Sequence, residues 1–287
     1  LTNSSSGQRF ELTRLETATF AGSDDPALTV VGPDWSPWVT IVGNEQRDFS
    51  VQFCGLGVGN SEAEARQHLQ AVGLTVNKNV VSLTNSLGPP RDQLLAGGAL
   101  LVEGPANAST VIHTNSAVEV FNMRGPVRVA SGGLAEIVNT TGEVNVDADM
   151  ISFAASRGRV TLTSTSGMRL AMTTKFDGTL DATAHGGIQL LVPSGFQTPF
   201  RVIVNRESDF LCVTDLCSKM IREKEGPRFV FTYAGDGSAP PERISLRMAE
   251  PDYSSYFRGG LPQSKVLIDK ISNVTLKSIE SGVAAKQ

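Results

Sequence analysis

Aromatic residues supply only 6% of this 287-residue chain, and cysteine occurs three times. A core short of Phe, Tyr and Trp must be filled by Val, Leu, Ile and Ala, which suits the narrow space between closely stacked strands. Cys54, Cys212 and Cys217 make neither a disulfide framework nor a zinc pattern. Cys212 and Cys217 are close enough to bridge in an exported protein, though buried thiols are the plainer reading. There is no run of Lys or Arg, and the net charge is −4, which argues against nucleic acid and against a basic membrane-surface patch. No segment approaches the ~18 apolar residues of a membrane-spanning helix. The chain starts at Leu1 rather than Met, a start compatible with loss of a signal peptide.

What is present is a recurrence. Gly125-Pro-Val127-Arg-Val129, Gly142-Glu-Val144-Asn-Val146, Gly158-Arg-Val160-Thr-Leu162 and Gly178-Thr-Leu180-Asp-Ala182 all alternate strictly. Second alternating runs lie between them: Ile151-Ser-Phe153, Met168-Arg-Leu170-Ala-Met172 and Ile188-Gln-Leu190. Period-2 alternation marks half-buried strands, and each Gly marks a turn. Two short strands and two turns per 17, 16 and 20 residues match one coil of a parallel β-solenoid. A single coil cannot cover its own apolar face, so stacking predicts Val127, Val129, Val144, Val146, Val160, Leu162, Leu170 and Leu180 inside. An antiparallel meander is the rival, because the same alternation permits it.

Elsewhere the pattern is less regular. ALTVVG and WVTIVG read as strands flanking the turn GPDWSPW, and Phe49-Ser-Val51-Gln-Phe53 as another. SEAEARQHLQAV predicts one helix over 61–72. Ser61 and Glu64 form a capping box, Ala65, Leu69 and Val72 share a face, and Gly73 ends it. LTVNKNVVSL returns to strand, and residues 85–98 read as a loop or connection. After Pro193, residues 201–204, 210–213, 228–233 and 244–248 read as strands, and SKMIREKEG as a short charged helix or loop.

Chemistry is sparse. His68 reads as a solvated helix residue, and His113 and His185 have no second ligand at metal spacing. No GxSxG occurs, and GLGVG at 55–59 lacks both the phosphate-loop ending and the GxGxxG spacing, so it reads as a loop before the helix. Aligning the repeat glycines places Pro126, Glu143, Arg159 and Thr179 in one outward column. Arg128, Asn145, Thr161 and Asp181 form the next, and Ala130, Asp147, Thr163 and Thr183 the third. Acid there neighbours base or hydroxyl, never acid, which argues against a catalytic carboxylate pair. Asp147 and Asp149 sit where a strand turns. Trp35 and Trp38 bracket a proline and are candidates for stacking on a ligand or partner, or for capping one end of the stack.

Taken in order, these features resemble the bacterial putative-adhesin β-solenoid domains, an envelope-associated family. The early strands come first, then the capped helix leading to a strand (SEAEARQHLQAVGLTV). The turns RGPVRV, TGEVNV, RGRVTL and DGTLDA follow, and a GDG loop before an alternating strand (AGDGSAPPERISLRM) closes the series. The resemblance spans roughly residues 20–250 and implies an all-β parallel solenoid with one short capping helix. On that reading residues 1–19 are an N-terminal extension, 20–250 one domain with regular coils at 117–193, and 251–287 a tail. It carries over no catalytic, cofactor or metal residues. The expected protein is a non-enzymatic adhesin, scaffold or sensor of the periplasm or cell surface, meeting cell-wall polysaccharide or another surface protein. The alternative is a carbohydrate-active β-helix enzyme, a lyase or hydrolase with paired acids or Ca²⁺ on adjacent coils.

Overall fold

Gly142, Gly158 and Gly178 lie beside one another in register, all with positive φ (+137°, +105° and +142°). A Cβ on Gly158 would stand 2.2 Å from the Gly142 carbonyl oxygen, and one on Gly178 2.0 Å from that of Gly158. Glycine therefore meets two demands at once there, a left-handed backbone and contact with the chain below. In this computed structural model the described residues are 9–32, 38–86, 96–235, 243–249 and 265–271.

From those glycines the strands run side by side and parallel. Val127–Val138, Thr141–Ala154 and Arg157–Ala171 pair successively, each bent once at a register shift or corner. Arg157–Ala171 then pairs with Gly178–Ala184 along its first half and Gly187–Val192 along its second. The meander is thus excluded for this region. The uneven spacing is absorbed at the corners. Ser131, Ala148 and Ser164 pair, and so do Leu134, Met150 and Gly167; two residues intervene in the outer segments and only Asp149 in the middle one. The opposite corner is made by Asn122, Asn139 and Ala155, all at φ between +51° and +58°.

Two walls result, with the core between them. On the first, Val127, Val144, Val160, Leu180 and Ile244 form one inward column; on the second, Ile137, Phe153, Leu170, Leu190 and Ile268 form another. All ten are buried, as are all eight residues the repeat placed inside. Aliphatic side chains at period 2 give the walls their strand preference, and their mutual cover supplies the burial that one segment alone lacks.

Chain order and spatial order part company at both ends. Ala27–Val31 lies between Val80–Asn85 and Ser109–Thr114, and Trp38–Asn44 between Ala96–Pro105 and Val118–Phe121, all parallel. Ile244–Met248 and Val266–Lys270 likewise insert between the 178–192 segment and Phe200–Val204 with Phe210–Cys212. The sheet is mixed, because antiparallel strands close each end. Phe10–Phe20 pairs with Phe49–Gly59, which pairs with Ala96–Pro105; Val72–Asn77 pairs with Val80–Asn85. At the far end Arg228–Tyr233 pairs with Phe200–Val204 and Ile221–Glu225. Strands thus run into the sheet from both the segment read as an extension and the segment read as a tail.

Several local expectations need correction. GLGVG is the end of the strand Phe49–Gly59, not a loop, and the helix Glu62–Ala71 lies directly on it. A Cβ on Gly57 would stand 2.2 Å from the Ala65 carbonyl oxygen, so these glycines exist for close helix approach. The helix stops at Ala71; Val72 is buried, but as the first residue of the next strand. Ser61 caps as expected, accepting from the Glu64 N–H, while the Glu64 carboxylate reaches one residue further back, to the Asn60 N–H. LTVNKNVVSL is a hairpin of two strands turning at Lys78 (φ +54°). SKMIREKEG ends a short 3₁₀ turn and becomes the exposed strand Ile221–Glu225. Cys212 and Cys217 are bridged.

Candidate functional site

The outer columns of the first wall fall where the glycine alignment put them. Glu143, Arg159 and Thr179 are neighbours, as are Arg128, Asn145, Thr161 and Asp181, and Ala130, Asp147, Thr163 and Thr183. Strand spacing of about 4.8 Å sets their separation. His113 precedes Ala130 in the third column. Ala130 is too small to fill its place between His113 and Asp147, so the wall dips there. The result is a shallow open groove of about 380 Å³, walled by His113, Arg128, Asn145, Asp147, Thr161 and Thr163 with Ala130 in its floor. These side chains offer donors, acceptors, one cation and one anion on a rigid sheet, and the floor is apolar. That combination fits a polyhydroxylated ligand with one apolar face.

Asp147 and Asp149 do not act together. Asp149 accepts hydrogen bonds from Thr165 Oγ1 at 2.6 Å and Ser166 Oγ at 2.5 Å, fixing the corner of the next segment, while Asp147 faces the groove. A second hollow, about 310 Å³, lies at the opposite corner, lined by Asn139, Ser156, Arg157, Thr173, Thr174 and Lys175 among others.

The second wall carries a pair that the three aligned columns lack. Glu119 and Glu136 stand side by side in register, so acid does neighbour acid. Thr40 donates to Glu119 Oε2 at 2.9 Å, and Ser152 and then Arg169 continue the column past Glu136. Burial, and next the Glu119 charge, push the Glu136 carboxyl above its ordinary pKa. Sequence alignment missed this pair because Val118–Phe121 lies before the first repeat glycine.

Of the two tryptophans, Trp38 opens the strand Trp38–Asn44, 45% exposed, and Trp35 lies outside the described residues. Trp38 is not near the groove, since it pairs with Ala99 on the second wall. His68 is not simply solvated: it is half-buried, its Nδ1 bonded to the Val58 carbonyl oxygen. His185 sits in the turn after Gly178–Ala184. Among the described residues no three His, Cys, Asp or Glu side chains gather as a metal site, and no helix is long and apolar enough to cross a membrane.

No protein-family model matches the sequence, and no curated protein matches it. Solved structures do. A putative cell adhesion protein from Clostridium sporogenes is similar over 91% of this chain and 100% of its own, at 10% identity and a TM-score of 0.37. A putative adhesin from Bacteroides fragilis is similar over 90% and 97%, at 8% identity and a TM-score of 0.33. A putative lipid binding protein from Parabacteroides distasonis follows with the same coverage, 11% identity and a TM-score of 0.22. The chemistry of the groove is therefore read from this chain's own residues.

Proposed function

We propose that this chain is a non-enzymatic β-solenoid of the bacterial cell envelope, periplasmic or extracellular, that recognises cell-wall polysaccharide. Each parallel segment from 27 to 270 is one coil or part of one, and the antiparallel strands with the helix Glu62–Ala71 are its caps. The observation that carries the reading is the groove around Ala130, where Asn145, Asp147, Thr161 and Thr163 present hydrogen-bonding groups from adjacent coils over an apolar floor. Sugars bind by such bonds plus contact of a ring face with an apolar surface. The coil repeat of about 4.8 Å is close to the advance of one residue in an extended glycan, so successive sugars can meet equivalent rows. The bridge between Cys212 and Cys217 fits an oxidising compartment. Trp38, on the other wall, is a second contact, with Trp35 three residues before it in sequence.

One observation favours the enzymatic alternative. Glu119 and Glu136 are a paired, half-buried set of carboxylates on adjacent coils, as a glycosidase or lyase would need. The two readings separate in one experiment: retention on purified cell-wall polysaccharide, with reducing-end release followed in the same samples with and without Ca²⁺. Retention without release supports recognition. Release lost in Glu136→Gln would establish the enzyme instead.

A further inference from the structure

The strand Phe10–Phe20 is held by Phe49–Gly59 along one edge, and no described strand pairs with the other. An open edge of eleven residues without proline offers a full row of backbone donors and acceptors. The remaining terminal strands are poorer templates. Ile221–Glu225 reads IREKE and is exposed throughout, Phe210–Cys212 has three residues, and Val72–Asn77 has six. Phe10, Leu12, Arg14, Glu16, Ala18 and Phe20 are half-buried, and the residues between them are exposed. Leu15, at 65%, is the most exposed large hydrophobic among the described residues.

We infer that two copies of this chain join edge to edge through Phe10–Phe20, antiparallel, about a twofold axis at Leu15. Opposed residues in an antiparallel pair share a face, so the axis must pass through a residue and not between two. Centred on Leu15, the pairing uses the whole strand: Phe10 meets the partner's Phe20, Leu12 the partner's Ala18, and Arg14 the partner's Glu16. On the exposed face Leu15 meets its own copy and Thr13 meets the partner's Thr17. Moving the axis to Arg14 would set Arg14 against Arg14, and moving it to Glu16 would set acid against acid, both destabilising. Within one chain Arg14 and Glu16 are already 2.7 Å apart, so the join alternates two bases and two acids.

The test is solution mass by light scattering on the intact chain. A dimer is expected, and Leu15→Lys, at an exposed position, is expected to halve the mass while the chain keeps its wild-type circular dichroism and a cooperative melt. Arg14→Glu and Glu16→Arg each put like charges at the centre and give monomers, and the double reversal restores the dimer. Arg14 also donates to the Val72 carbonyl at 2.6 Å, so the Leu15 variant guards against a folding defect. In a Cys54→Ser background, Leu15→Cys is expected to cross-link between chains under mild oxidation and Thr13→Cys is not. A monomeric wild-type chain at its highest soluble concentration, a dimer indifferent to Leu15→Lys, or equal cross-linking at positions 13 and 15 would each overturn the inference.

Discussion

Glu119 and Glu136 occupy adjacent places in one outward column, and the second is half-buried with its pKa raised above the ordinary 4.5. A carboxyl with a raised folded-state pKa holds its proton more tightly when folded, so ionising it costs stability. The penalty is full above the folded-state pKa, shrinks as pH falls through it, and is gone below about 4.5. Glu136→Gln is expected to stabilise the protein modestly near neutral pH. Urea unfolding at several pH values checks this: the gain should fade toward acid. A gain independent of pH would contradict the assigned cause.

Asp149 is the single corner residue of its segment, and Thr165 and Ser166 both donate to its carboxylate. Asp149→Ala removes both bonds, at an expected cost of about 1–3 kcal/mol. Asp147→Ala, on the open wall, should cost less than about 0.5 kcal/mol. Thermal melts of the two variants make the comparison, and equal losses would mean that the corner is not held this way.

Ala155 takes the left-handed turn that Asn122 and Asn139 take in the preceding segments, and Asn139 Nδ2 donates to Asn122 Oδ1 at 2.7 Å. Alanine is strained in that conformation, while Asn and Gly tolerate it. Ala155→Asn, which also extends the side-chain ladder, is expected to add about 1 kcal/mol, or roughly 2–4 °C in melting temperature. A lower melting temperature would show that the local hollow cannot take the amide.

The stack itself is tested at its tightest points. Gly158→Ala would force a Cβ to 2.2 Å from the Gly142 oxygen at a positive φ, and Val144→Asp would bury an unpaired charge in a fully enclosed site. Each is expected to cost more than about 4 kcal/mol and to yield little folded protein. Leu69→Ala, under the helix but only half-buried, should cost about 1–2 kcal/mol. Soluble yield and circular dichroism report the first two, and denaturant titration the third.

The middle of the fold was legible because its rule is local. Alternation around Gly142, Gly158 and Gly178 named the inward and outward residues, and parallel register followed once the glycines were aligned. The ends were not, because pairing there skips along the chain. Nothing near Ala27–Val31 says that Val80–Asn85 and Ser109–Thr114 flank it, nor does Val266–Lys270 announce its place beside Gly187–Val192. GLGVG misled for a related reason: its glycines serve a helix that packs on them, which is a tertiary demand that looks like a turn. Apart from His113, the groove's outward residues were placed in columns by sequence, but its depth depends on Ala130 being small between larger neighbours. The Glu119–Glu136 contact required knowing which strand precedes Val127–Val138 on the second wall.

The most direct measurement of the proposed recognition is binding of purified cell-wall polysaccharide, by titration calorimetry, to the wild type and to Asn145→Ala/Asp147→Ala, with Trp35→Ala/Trp38→Ala alongside. Groove substitution is expected to weaken binding at least tenfold with the fold intact by melting, and the tryptophan pair to weaken it less. Unchanged affinity in the groove variant, or turnover of the polysaccharide that Glu136→Gln abolishes, would contradict the account.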